Sequence, residues 1–175
     1  MTPVCIFGIG SPFGDDRLGW EAIEMLKQQP AISQLIPQVM RLETCDRPAL
    51  RLLHQLNQAK IAILIDAIKS ETTLGTLQVF SSEAIFNLNP AFSTHGLGIS
   101  ESLNLGKTLG ILPEVTVLYG IEINEITLTS ELSSIIKTTL KKFVNLLTLI
   151  KWQELVAMES KEELFNLLNL YVNMK

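Results

Sequence analysis

Ile61-Ala62-Ile63-Leu64-Ile65-Asp66-Ala67 is a run of apolar residues interrupted by a single acid. A short run with no polar alternation fits a strand buried on both faces, the condition of a central strand in a parallel sheet covered by helices on each side. The carboxyl end of such a strand opens into the crevice where α/β sheets bind ligands, so Asp66 is a candidate site residue. It has an ordinary alternative, because an Asp in this position also caps the next turn through its side chain.

Upstream, Val4-Cys5-Ile6-Phe7 is a second β-branched and aromatic run. It leads through Gly8-Ile9-Gly10-Ser11-Pro12-Phe13-Gly14-Asp15-Asp16 into a helical pattern carried by Leu18, Ala22, Ile23 and Leu26. Gln38 to Leu42 alternates as a strand, and Pro48 opens a helix with Leu50, Leu52, Leu53 and Leu56. Downstream, only the polar stretch Lys69 to Gly75 separates the Asp66 strand from the next one, Thr76 to Phe80. A parallel crossover needs a dozen or more residues, so this fourth strand is expected to be antiparallel. His95 to Leu109 has helical spacing, and Val115 to Gly120 forms the fifth strand. A long amphipathic helix follows from the cap candidates Thr129 and Ser130, through Leu132, Ile136, Leu140, Phe143 and Leu147. Ser160-Lys161-Glu162-Glu163 reads as a capping box for an added C-terminal helix at about 160–172. The expected architecture is one α/β domain over residues 1–175, a three-layer α/β/α arrangement with a mixed five-stranded sheet whose fourth strand is antiparallel.

With hydrophobic residues at 47% and charged residues at 18%, the chain is too apolar for disorder. Its longest apolar runs fall far short of the ~20 residues that cross a bilayer, so no membrane association is expected. The apolar run at Val4 leaves no room for the basic region of a leader, and a cytoplasmic location is the expectation. Net charge −4, with basic residues scattered among acidic ones, gives no footprint for nucleic acid. Cys5 in a strand and Cys45 in a loop lack CxxC spacing and are expected to be reduced thiols.

Gly8, Gly10 and Gly14 approach the dinucleotide fingerprint but miss it. The third glycine comes one residue late, and Asp15 and Asp16 occupy the helix start, where a pyrophosphate needs positive potential. No Lys-Ser or Lys-Thr pair completes a phosphate loop. Ser11 is not in a GxSxG elbow, Ser93 and Ser100 have no strand-to-helix turn to present them, and Cys5 has no basic neighbour in sequence. His54 reads as a surface residue. What remains is Asp16, Asp66 and the imidazole of His95 in Phe92-Ser93-Thr94-His95-Gly96. Each alone reads equally well as a cap or a satisfied helix-start residue. Together they fall on one predicted rim, and two carboxylates with an imidazole suit a divalent metal such as zinc or nickel.

Four ordered segments carry a resemblance: Phe7-Gly8-Ile9-Gly10 with Asp15-Asp16-Arg17-Leu18-Gly19; Ile65-Asp66-Ala67 followed by Gly75-Thr76-Leu77; Ser93-Thr94-His95-Gly96-Leu97-Gly98; and Gly120-Ile121-Glu122. Over most of its length the chain resembles the nickel–iron hydrogenase maturation endopeptidases, which remove a C-terminal extension from the hydrogenase large subunit. The resemblance implies a phosphorylase/hydrolase-like mixed sheet and a catalytic, metal-recognising triad at Asp16, Asp66 and His95. It also implies nickel supplied by the substrate protein, no organic cofactor, and a hydrogenase large-subunit precursor as partner; the expected state is a monomer. Nickel would polarise the scissile carbonyl or acidify a bound water, with Asp16 or Asp66 as general base. Ser11 and Arg17 stand where the family usually has Asn and commonly Gly, Leu42 to Asp46 replaces an Asp-Gly-Gly-Thr type turn, and the helix beyond Met158 extends past the usual end. The rival readings are a non-catalytic metal-sensing or chaperone-type binding module on the same fold, and a hydrolase with its own bound ion.

Overall fold

Strand β1 (Val4–Ile9) lies between two parallel neighbours, β2 (Met40–Cys45) and β3 (Ile61–Ile68), and every residue of β1 and β3 is buried. The computed structural model describes residues 2–46, 49–57, 59–88 and 99–173. Beyond β3 comes β5 (Val115–Glu122), also parallel, and then β4 (Leu77–Ser81) at the edge, antiparallel to β5. The order β2-β1-β3-β5-β4 is the mixed five-stranded sheet expected from the sequence, with the fourth strand reversed.

Side chains alternate across each strand, so burial of both faces requires an apolar residue at nearly every position. On one face, Ile6, Ile63, Ile65 and Tyr119 pack with Leu18 and Ile23 of α1 (Leu18–Lys27). Phe143 and Val144 of α6 (Ser134–Thr148) join them, as do Leu164 and Leu168 of α8 (Lys161–Asn173). On the other face, Phe7, Ile9, Leu64 and Leu118 pack with Leu52 and Leu56 of α3 (Ala49–Leu56) and with Ile99 and Leu103 of α5 (Ile99–Leu109). Tyr119 sets its ring edge-on to Phe143 at 5.0 Å, and its hydroxyl donates to the Leu168 carbonyl at 3.1 Å, which ties α8 to the sheet. Among the described residues no helix is long and apolar enough to cross a membrane.

Several boundaries differ from expectation, for reasons that lie in pairing and loop contacts. β3 continues through Asp66 to Ile68 because β5 matches it residue by residue as far as Glu122, so Asp66 sits inside a strand rather than at its end. β2 is displaced toward Cys45 by its register with β1, Val4 opposite Met40 through Ile9 opposite Cys45; Cys45 is therefore a buried strand residue, not a loop residue. α6 begins at Ser134, with the Ser133 hydroxyl accepting from the Ile136 N–H, rather than near Thr129. Residues 127–133 are instead drawn back onto the glycine loop, where the Gly14 N–H donates to the Thr129 carbonyl at 2.6 Å. Three short helices lie outside the pattern expected from the sequence: α2 (Pro30–Ser33), α4 (Ser82–Phe86) and α7 (Trp152–Ala157). At four to six residues, each is too short to show a periodic apolar face. At the start of α8, the Ser160 hydroxyl accepts from the Glu163 N–H at 3.2 Å.

α1 lies directly on the sheet. A Cβ added at Gly19 would stand 2.7 Å from the Ile65 carbonyl oxygen and 2.6 Å from the Ile9 nitrogen, and one at Gly8 would stand 2.5 Å from the Gly19 carbonyl carbon. These neighbours are backbone and cannot rotate aside. Gly19→Ala is expected to lower stability by about 3 kcal/mol, at the upper end of the overpacking range, in urea unfolding followed by circular dichroism.

Candidate active site

The chain leaves β1 at Ile9, and the loop that follows is held on the carboxyl edge of the sheet. The Gly10 N–H donates to the Cys45 carbonyl at 3.0 Å, and the Ser11 N–H returns to the Asp16 carbonyl at 3.3 Å. Gly10 is required here because a Cβ would stand 2.7 Å from that same Asp16 oxygen. Gly14 adopts φ +50 against Thr127 and starts the single 3-10 turn Gly14–Arg17, which leads into α1.

The acidic pair in this turn divides its duties. Asp15 accepts the Ser133 N–H on Oδ1 at 2.6 Å and so fastens the segment before α6 to the glycine loop. Asp16 is buried, and its turn packs against β3. Asp66 is fully buried, and its Oδ1 accepts the N–H of Ala67 at 2.9 Å. Gly8 pairs with Ile65, so Asp66 lies one residue past the last β1–β3 pair, and Gly19 sits against the Ile65 carbonyl. Asp16, three residues before Gly19, and Asp66, one residue after Ile65, are thus placed at the same carboxyl edge. By the two-residue period of the strand, Asp66 shares its face with Ala62 and Leu64, the side that α3 and α5 cover.

His95 and Ser93 lie outside the described residues. Among the described residues no three His, Cys, Asp or Glu side chains gather to hold an ion. The remaining candidates have structural roles. His54 is exposed on α3. Ser100 is buried and its hydroxyl donates to Glu101 at 3.1 Å. Burial pushes the Cys5 thiol up to about 11, partly offset by Arg41, which leaves it no nucleophile at neutral pH. Burial likewise raises the Tyr119 phenol far above its ordinary range.

The motif Gly120-Ile121-Glu122 ends in an acid with a structural role. Glu122, buried at the end of β5, accepts hydrogen bonds from Ser70, Glu71 and Thr72 in the β3–β4 connection. The signal available in the sequence was an acid closing a strand that is otherwise almost wholly apolar, the same pattern that drew attention to Asp66.

The family model described as hydrogenase maturation protease, HycI, matches residues 47–150, more than half of the chain. The chain belongs to the hydrogenase maturation protease family. The hydrogenase expression/formation protein HoxM of Cupriavidus necator is 31% identical over 126 residues, which cover 70% of this chain and 60% of HoxM. The chain therefore aligns with less than two thirds of that relative's length. Among solved structures, the hydrogenase maturating endopeptidase HybD from E. coli superposes with TM-score 0.65 at 19% identity, covering 83% of this chain and 89% of that one. The NiFe hydrogenase maturation protease HybD from Thermococcus kodakarensis gives TM-score 0.64 at 25% identity, covering 83% and 96%. The sheet and its reversed edge strand are those of this family. The family model ends at residue 150, so α7 and α8 lie beyond it.

Two outcomes follow from this geometry. Asp15→Ala removes a charged acceptor near the start of α6 and should lower stability by about 1 kcal/mol in urea unfolding. The Cys5 thiol ionises near 9 when exposed and near 11 when folded. Stability from keeping it neutral is complete below pH about 9 and declines as pH rises through 11; the slope of stability against pH across that window should be shallower in Cys5→Ala.

Proposed function

We propose that the chain is an endopeptidase that removes the C-terminal extension of a hydrogenase large-subunit precursor once nickel has been inserted, working in the cytoplasm as a monomer. The observation that carries the proposal is the pair of buried carboxylates, Asp16 and Asp66, at one carboxyl edge of a sheet belonging to this protease family. Two desolvated acids in a low-dielectric rim favour a divalent cation strongly, because the attraction is little screened there. His95 is proposed as the third group, since it precedes α5, which covers the same face as Asp66.

In this reading nickel is part of the substrate. Asp16, Asp66 and His95 complete the coordination of an ion already held by the precursor, so productive docking depends on metal insertion and metal-free precursor is rejected. The same ion polarises the scissile carbonyl or acidifies a water, and Asp16 or Asp66 takes the proton of the attacking water. The glycine loop fixes Asp16 through its backbone while Asp15 anchors that loop, so the reacting group needs little reordering on docking. Net charge −4, with basic residues scattered among acidic ones, favours a protein partner over a polyanion.

Incubation with nickel-loaded and nickel-free precursor tests the reading. A shortened product is expected only with nickel present. Asp16→Asn, Asp66→Asn and His95→Ala should each remain folded by circular dichroism while processing falls at least about 100-fold. Full cleavage by Asp16→Asn and His95→Ala would refute the assignment, and nickel-dependent binding without a product would favour a metal-sensing binding module.

A further inference from the structure

We infer that Glu122 is a positioning residue for precursor docking: its carboxylate fastens the Ser70–Thr72 turn to the strand pair that carries Asp66 and so holds one wall of the rim against which the precursor lies. The inference rests on the endopeptidase reading.

Topology puts the turn on that rim. β3 and β4 are not neighbours, because β5 lies between them, so the connection from Lys69 to Thr76 has to cross the carboxyl end of β5 beside Asp66. One carboxylate then organises the crossing. The Ser70 N–H donates to Glu122 Oε1 at 2.9 Å and the Glu71 N–H to the same oxygen at 3.1 Å. The hydroxyls of Ser70 and Thr72 donate to Oε2 at 2.5 and 3.0 Å. Gln78, on the edge strand, adds its amide to Ser70 Oγ and Thr72 Oγ1. Glu71 is held at φ 62, a left-handed conformation that non-glycine residues seldom adopt. Successive N–H groups converging on one anion form the kind of concavity that elsewhere binds external anions; here the anion is internal. The backbone of Glu122 grips the far end of the crossing as well, its carbonyl accepting from Gly75 and its N–H donating to Thr76, both at 2.9 Å.

Scale connects the turn to docking. Ser70 is four residues past Asp66, at most about 13 Å along the chain. A protein–protein contact of about 800 Å² per partner reaches about 16 Å from its centre, so a precursor centred on Asp66 covers this turn. An ordered wall lowers the entropy lost on docking and takes no part in the bond-breaking step, so removal of Glu122 should weaken precursor affinity and leave turnover alone.

The test measures kcat and KM separately on nickel-loaded precursor, with hydrogen exchange of residues 69–76 alongside. Glu122→Ala should raise KM about tenfold, the equivalent of one charged hydrogen bond, keep kcat within about twofold, and speed exchange at Ser70 and Glu71. Glu122→Gln should restore most of the affinity, because its oxygen still accepts the backbone N–H groups while the hydroxyls turn to accept from its amide. If Glu122→Ala does not fold, the double variant Ser70→Ala/Thr72→Val carries the test, with KM expected to rise about threefold. An unchanged KM despite faster exchange, or a fall in kcat at constant KM, overturns the inference. Wild-type protein that leaves nickel-loaded precursor intact overturns the endopeptidase reading itself, before any variant is compared.

Discussion

The seating of α1 on the ends of β1 and β3 is a close-contact constraint on which the placement of the candidate site depends. Helix backbone meets strand backbone at Gly8 and Gly19 with no room for a methyl group, so the helix start has one position relative to the sheet. Asp16 stands one turn ahead of Gly19 and inherits that position, while Asp66 follows the Ile65 carbonyl that Gly19 touches. Two carboxylates fifty residues apart in the chain are thereby referred to the same few backbone atoms. The rigid reference fixes the backbone that carries both carboxylates, so neither residue depends on a mobile loop for its place along the edge.

Around that anchor the acidic residues of the rim take separate work. Asp15 spends its charge on the segment before α6 and Glu122 on the β3–β4 crossing, while Asp16 and Asp66 are both buried along the same edge. The first two tie loops on either side of the buried carboxylates to distant parts of the fold. Both tethers are long-range in sequence: Asp15 reaches Ser133, and Glu122 reaches back across roughly fifty residues to Ser70.

Much of the fold was legible because its signals are local. The continuous apolar run at Ile61 to Ile65 marked a central strand, the short Lys69–Gly75 connection required β4 to run antiparallel, and Gly8-x-Gly10 before a helical pattern marked the strand-loop-helix unit. Element ends were less legible. β3 runs past Asp66 and β2 runs to Cys45 because partner strands continue the ladder there, which no local pattern records. The start of α6 moved to Ser134 because the preceding residues pair with the glycine loop, and Thr129, an adequate cap by composition, gives its carbonyl to Gly14 instead.

By itself the sequence determined which residue types were available for chemistry and that Asp16 and Asp66 lie near strand ends, since apolar periodicity and glycine placement follow from short-range sterics and burial. Only the tertiary structure decided which of two adjacent aspartates turns inward, and that Glu122 is committed to a turn fifty residues upstream. Those choices depend on what each carboxylate meets across the fold, and hydrogen-bond donors brought together by strand order leave no trace in local sequence.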